Sequence, residues 1–224
     1  DYARTEGDFH AERIRIGGGR IVFDLVSPLG NVSDIELGVP VSINIDNGIA
    51  ACALAQIAGA TPDEIRQGMR TYAGVDRRFD FKIKTDRCVF LSDYAHHPAE
   101  IKQSILSLRE VFDGRKISAI FQPHLYTRTR DFYQDFADAL SLLDEVILLD
   151  IYPAREQPIA GVTSQLIFDR LRPDMQRRMA HLQDLPQIAE QEDFDVLVVL
   201  GAGDADTYCP QIADILRAKY HIEA

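Results

Sequence analysis

The chain has 224 residues, 46% of them apolar and 26% charged, with a formal net charge of −11. That acidity works against a nucleic-acid binder, which ordinarily shows a basic face, and no apolar run approaches the ~18 residues of a membrane span. The three cysteines, Cys52, Cys88 and Cys209, share no CxxC spacing, so neither a disulfide framework nor a zinc knuckle is expected and a reducing, cytoplasmic setting fits. Residues 1–20 carry charges throughout and no apolar signal-peptide core. The chain opens at Asp1 without Met, in sequence that reads as mid-fold, and is expected to be part of a longer protein.

In chain order, Arg13 and Arg15 alternate with Ile14 and Ile16 before Gly17-Gly18-Gly19, and Ile21-Val22-Phe23 follows. Residues 12–26 therefore read as two strands. A turn at Pro28, Gly30 and Asn31 precedes a candidate strand at 35–41. Asn44-Ile45-Asp46-Asn47 leads into an alanine-rich helix over 48–58, whose small side chains allow close packing. Thr61-Pro62-Asp63-Glu64 supplies a cap, a first-turn Pro and a capping-box Glu for a helix reaching about Tyr72. Gly74 then opens the link Val75-Asp76-Arg77-Arg78, where a domain boundary is expected. Residues 1–78 offer little core for an independent domain and read as part of one.

From Phe79 the pattern changes. Phe79, Phe81 and Ile83 alternate with charged residues, Asp86-Arg87 turns, and 88–91 returns as a hairpin partner. Helices at 98–112, 129–142, 163–171, 185–191 and 205–218 then alternate with strands at 116–121, 144–150, 177–182 and 195–200. That alternation predicts an α/β domain over 79–224, with a mostly parallel sheet covered by helices on both faces.

In such a sheet the loops leaving the strands' carboxyl ends converge on one edge. Four are readable: 92–97, 122–130, 151–156 and 201–204. The first packs Asp93, Tyr94, His96 and His97 into five residues ahead of Pro98, which suits a first helical turn. The second carries His124, Arg128 and Arg130. Arginine forks and the backbone N–H groups of a helix start make it a candidate anion site. The plainer alternative is that Arg128 and Arg130 are solvated and pair with Asp131 or Asp135. Asp93, His96, His97 and His124 are also candidate metal ligands, but adjacent histidines rarely point at one ion and no HxH or HxxxH spacing occurs, so no metal site is expected. Gly201-Ala202-Gly203 does not complete a dinucleotide fingerprint, because Asp206 holds the third Gly position. Neither a P-loop GxxxxGK[ST] nor a GxSxG elbow occurs. The residues themselves thus point to an α/β domain with an edge cluster for a phosphorylated or carboxylated ligand.

Several stretches resemble the Mur ligases. Asp93-Tyr94-Ala95-His96-His97-Pro98-Ala99-Glu100 is similar to the family segment D-Y-G-H-H-P-x-E, and Phe121-Gln122-Pro123-His124-Leu125-Tyr126-Thr127-Arg128-Thr129 to F-Q-P-H-R-Y-T-R-T. Asn44-Ile45-Asp46-Asn47 resembles the H-N-x-x-N helix start, and Gly74-Val75-Asp76-Arg77-Arg78-Phe79 the G-x-x-R-R-F junction. The resemblance implies a bacterial, cytoplasmic three-domain enzyme of peptidoglycan synthesis. Residues 1–78 would end its central ATPase-type α/β domain, and 79–224 would be its Rossmann-like C-terminal domain. The implied reaction joins L-alanine to the lactyl carboxylate of UDP-N-acetylmuramate through an acyl phosphate made from ATP. By the same resemblance Asn44 and Asn47 would contact the adenine end of ATP, Arg77 or Arg78 the nucleotide phosphates, and Asp93 the ribose. Tyr94, His96, His124 and Arg128 would face the UDP-N-acetylmuramate and acyl-phosphate region, with His96, His124 and Arg128 catalytic. His97 and Pro98 are expected to shape the loop. Ile43 and Leu125 stand where the family pattern has His and Arg, which puts one adenine contact and one phosphate contact in question; Ala95 for Gly is expected to be harmless. The P-loop lysine and the Mg²⁺ ligands are expected outside this chain, so the 224 residues alone are expected to be inactive. The competing readings are a non-catalytic nucleotide-binding module of the same fold, a murein tripeptide ligase, whose pattern lacks the Q-P-H-x-Y-T-R run, and a metal-dependent hydrolase using His96, His97 and His124.

Overall fold

The computed structural model describes residues 1–223. They form two compact units: Asp1–Gly74 with Glu110–Asp113, and Val75–Arg109 with Gly114–Ala224. The junction Val75-Asp76-Arg77-Arg78 thus groups with the second unit. Among the described residues no helix is long and apolar enough to cross a membrane.

The first unit pairs β1 (His10–Gly17), β2 (Arg20–Val26) and β3 (Val32–Glu36) as an antiparallel sheet. Phe23, Leu25 and Ile35 are its sealed core. The expected strand at 35–41 stops early. Leu37, Val39 and Val41 are buried, but Pro40 has no N–H to give a ladder. Gly38 passes so close to the backbone that an added Cβ would stand 2.2 Å from the Tyr72 carbonyl. Helix α1 (Ile43–Ile57) starts five residues ahead of the expected 48. Asn44 therefore lies in its first turn, with the Asn44 N–H reaching Val41 O at 2.8 Å, and Asn47 at the start of its second. Helix α2 (Pro62–Thr71) begins with the expected capping box at Thr61 and Glu64. Ile43, Leu54 and Ile57 of α1 are 65%, 68% and 66% exposed.

The second unit is a six-stranded sheet in which β4 (Asp80–Lys84), antiparallel, edges five parallel strands. Those are β5 (Val89–Asp93), β6 (Ile117–Phe121), β7 (Glu145–Leu149), β8 (Gln176–Ala180) and β9 (Val196–Leu200), and the spatial order is β4-β5-β9-β6-β7-β8. Every residue of β5, β6, β7 and β9 is buried, which explains their continuous apolar runs: a parallel strand is covered on both faces. On one face Phe90, Ile120, Ile147 and Val199 pack with Ile188 of α6 (Leu185–Gln191) and with Ile212 and Leu216 of α7 (Cys209–Tyr220). On the other, Phe121 meets Phe136 of α4 (Tyr126–Leu140) at 5.4 Å between ring centres. Helix α3 (Pro98–Val111) follows β5, and the short α5 (Gln165–Phe168) precedes β8. The last strand, β9, lies between β5 and β6, so the chain's connections reverse there. In an open α/β sheet this is where a ligand crevice forms, outside the carboxyl ends of the strands.

Candidate active site

Parallel register sets Asp93, Leu200 and Phe121 side by side at that edge, so the loops beginning at Tyr94, Gly201 and Gln122 start as neighbours. Gln122, 3% exposed, ties two of them together. Its Nε2 donates to Asp204 Oδ1 at 2.7 Å and its Oε1 accepts from the Ala205 N–H at 3.0 Å. A Cβ on Gly203 would stand 2.1 Å from Gln122 Oε1, and one on Gly201, at φ +130°, 2.7 Å from Gln122 O. The two glycines therefore serve this close approach. In the sequence these glycines resemble an incomplete dinucleotide motif, and nothing near Gln122 marks its role.

In the first loop Asp93, 8% exposed, accepts from Ser104 Oγ and from the N–H groups of Ala95 and Phe79. Burial outweighs these bonds and pushes its carboxyl above the usual range. Glu100 Oε2 accepts the N–H groups of His96 and His97 at 3.0 and 3.1 Å, capping α3. Burial acts against Glu100, yet these bonds and the two imidazoles hold its carboxyl below the usual range. His97 turns its ring to Phe132 at 5.1 Å between centres, in keeping with a shaping role. Arg77, at φ +61°, spreads over the Tyr94 ring at 4.7 Å and pairs with Asp206 at 3.0 Å. It binds the first loop to the fourth, while Arg78 is exposed.

His96, His124 and Arg128 come together. The imidazole centres of His96 and His124 are 6.1 Å apart, and His124 also stacks on Tyr152 at 5.6 Å. Arg128 Nη1 lies 3.4 Å from His124 Nδ1. Arginine only donates, so His124 Nδ1 accepts and its proton sits on Nε2. Burial, then the charge of Arg128 and that of His96 whenever its ring is protonated, push the His124 pKa down and keep that ring neutral at neutral pH. His96 Nδ1 lies 2.9 Å from the Tyr94 carbonyl. A carbonyl only accepts, so in the neutral ring His96 keeps a lone pair at Nε2. The site thus offers one imidazole acceptor, one imidazole donor and a guanidinium. Arg130 is instead held by its exposed neighbour Asp131 at 2.7 Å, as the plainer alternative had it for this residue.

Helix α4 begins at Tyr126 and not near 129, which puts Arg128 in its first turn. Two of its first N–H groups are already taken by the protein. The Glu156 carboxylate takes the N–H groups of Tyr126 and Thr127, the latter at 3.0 Å, and the Thr127 hydroxyl. Glu156 lies in the third loop, which sequence reading marked only as part of the edge. Among the described residues no three His, Cys, Asp or Glu side chains form a group able to hold a metal ion. Burial pushes the Cys52 thiol up to about 12 and those of Cys88 and Cys209 up to about 11, so none is a thiolate nucleophile at neutral pH.

The first unit has its own cavity of about 290 Å³, lined by Leu37, Val39, Asn44, Asn47, Met69 and Tyr72 among others. Asn44 Nδ2 donates to Val39 O at 3.0 Å and Asn47 Nδ2 to Asn44 Oδ1 at 3.2 Å. The exposed Asn47 keeps its carbonyl oxygen for an outside donor. An apolar slot with an amide edge is chemistry that suits a purine base.

A family model described as "Mur ligase, glutamate ligase domain" matches residues 77–203. The UDP-N-acetylmuramate–L-alanine ligase of Phocaeicola vulgatus is 65% identical over 218 residues, 97% of this chain and 48% of that protein. The ligase of the same name from Parabacteroides distasonis is 52% identical over 96% of this chain and 46% of its own length. The chain therefore spans about half the length of the curated relatives it matches. Among solved structures, the UDP-N-acetylmuramate-alanine ligase of Thermotoga maritima is similar in fold, with a TM-score of 0.72 at 24% identity over 98% of this chain and 47% of that one. Folylpolyglutamate synthase from the same organism gives 0.68 at 16% identity, covering 93% and 45%. The six-stranded, mostly parallel sheet and the family match over more than half of the chain lead to one conclusion: this chain belongs to the Mur ligase family.

Proposed function

We propose that the whole protein is an ATP-dependent amide ligase that adds L-alanine to UDP-N-acetylmuramate in cell-wall synthesis, and that this chain supplies the acceptor side of its active site and part of its nucleotide pocket. The observation that carries this reading is the 65% identity, over nearly the whole chain, to a protein of that name. The edge chemistry supports it. His124 Nε2–H and Arg128 suit the oxygens of a carboxylate being turned into an acyl phosphate, where positioning and charge neutralisation govern the rate. The amine of L-alanine then forms its C–N bond as the C–O bond to phosphate breaks. His96 Nε2, a lone-pair site, is the group we assign to take the amine proton. Tyr94 would border the same substrate.

For ATP, Asn44 and Asn47 would hold the base at the first unit's cavity, which fits on volume and polarity. Of the junction arginines, Arg78 is the better candidate for the nucleotide phosphates, because Arg77 is engaged by Tyr94 and Asp206. Asp93 has less to offer a ribose than the resemblance implies. A hydroxyl would have to reach a carboxylate that already serves Ser104, Ala95 and Phe79. The chain has no P-loop, and its described residues hold no metal-ligand cluster, so the phosphoryl-transferring groups and the Mg²⁺ ligands belong to the remainder of the protein in this reading.

The test is ADP release by the full-length protein. Turnover should require both UDP-N-acetylmuramate and L-alanine, and the 224-residue chain alone should give none. Turnover by that chain alone, or full-length turnover with a different acceptor, would overthrow the assignment.

A further inference from the structure

A helix start normally satisfies its first N–H groups with a Ser, Thr, Asp or Asn at the cap position. Helix α4 cannot. Its cap residue is Leu125, at φ 74° and ψ 136°, with no side-chain bond to offer. The bonds come from the loop after β7: Glu156 takes the N–H groups of Tyr126 and Thr127 and the Thr127 hydroxyl. That loop is itself fastened to the His124 segment, by Tyr152 N–H to Pro123 O at 2.8 Å and Leu125 N–H to Tyr152 O at 2.9 Å. Glu156 N–H closes the loop on Pro153 O at 2.9 Å. A carboxylate of the protein thus sits where an anion would be drawn by the helix dipole and its open N–H groups.

We propose that Glu156 is a positioning residue of the site: it takes the first two N–H groups of α4, fixes the first turn that carries Arg128, and leaves recognition of the substrate anion mainly to the His124 and Arg128 side chains. This rests on the reading that those two side chains meet the anionic substrate. It differs from the expectation drawn from sequence, which counted the α4 backbone N–H groups among the anion's partners.

The experiment compares Glu156→Ala and Glu156→Gln in the full-length protein. Loss of the cap in Glu156→Ala should raise KM for UDP-N-acetylmuramate by about 10-fold, the scale of a lost helix cap, with a smaller change in kcat. Glu156→Gln keeps an acceptor oxygen and should restore KM to within about 3-fold, yet it removes a negative charge near His124. The His124 imidazole, followed by NMR, should then titrate at lower pH than in the parent, a shift that a purely structural role would not produce. A lower KM in Glu156→Ala would overturn the proposal, because it would mean that the substrate competes with Glu156 for the helix N-terminus. An unchanged KM would overturn it too. Should the full-length protein prove not to be a ligase, amide exchange at Tyr126 and Thr127 decides the capping role by itself. Fast exchange in Glu156→Ala with protection kept in Glu156→Gln supports it, and equal protection in both removes it.

Discussion

The two strand-to-helix turns that build the site are held in different ways. The turn from β5 to α3 is capped from within: Glu100, in the first turn of its own helix, accepts the N–H groups of His96 and His97. The turn from β6 to α4 is closed from outside, by Gln122 reaching the Gly201–Ala205 stretch and by Glu156 reaching back to Thr127. Its Leu125 holds a left-handed φ of 74° that an isolated loop would not keep. The first turn is capped by its own helix and brings one of its two imidazoles, His96, to the site, while Arg77 and Phe79 brace it from the preceding segment. The second is an assembly of three loops that aims the other imidazole and the guanidinium. Damage to the first should therefore stay local, and damage to the second should spread.

The largest effect expected from this difference is at Gly203. A Cβ placed 2.1 Å from the amide oxygen of a buried, doubly bonded Gln122 forces the loops apart. Gly203→Ala should cost about 2–3 kcal/mol by denaturant unfolding, the range of overpacking. A loss below about 0.5 kcal/mol, the level of an ordinary surface change, would show that the second turn is looser than described. The cap of the first turn comes next. Glu100→Ala should cost about 1 kcal/mol, with the amides of His96 and His97 exchanging faster and the titration of His124 unmoved. A displaced His124 would mean that the first turn is not local after all.

The smallest effect is a pair of opposite pH slopes within the first turn. Burial raises the Asp93 carboxyl, so its stabilising share is full below about pH 4, its unfolded value, and is lost as pH rises through its higher folded value. Glu100 is lowered despite its burial, by the His96 and His97 N–H groups. Its share is present above about pH 4.3 and is lost as pH falls through its lower folded value. Stability measured from about pH 3 to about pH 7 should therefore flatten on the alkaline side in Asp93→Asn and on the acid side in Glu100→Gln. Slopes that change in the same direction would refute the contrast.

What the sequence reveals follows the same division. The Thr61–Glu64 capping box, the fully buried strands and the meeting of the 92–97 and 122–130 loops are signalled by neighbours in the chain or by the edge rule of parallel sheets. The start of α4 was hidden because its cap lies 29 residues away at Glu156, and no local residue announces it. The glycines at 201 and 203 were ambiguous because their cause, Gln122, lies about 80 residues earlier, as its bond to Asp204 across 82 positions shows. Asn44 and Asn47 are placed ahead of the alanine-rich helix by sequence, whereas the structure draws them into its first two turns and sends the Asn44 amide to Val39. Arg77 and Arg78 are alike in sequence. Only the folded chain separates the one stacked on Tyr94 from the one left exposed.

The central claim is that the substrate anion is met by particular side chains of the second turn and not by a diffuse positive surface. The direct measurement is kcat/KM for UDP-N-acetylmuramate in full-length Arg128→Ala and Arg130→Ala. Arg128 stands beside His124 at the sheet edge, and loss of a charge-assisted bond there should lower kcat/KM by about 30- to 100-fold. Arg130 is tied to exposed Asp131, and its loss should cost no more than about 2-fold. Equal losses from the two variants would contradict the account.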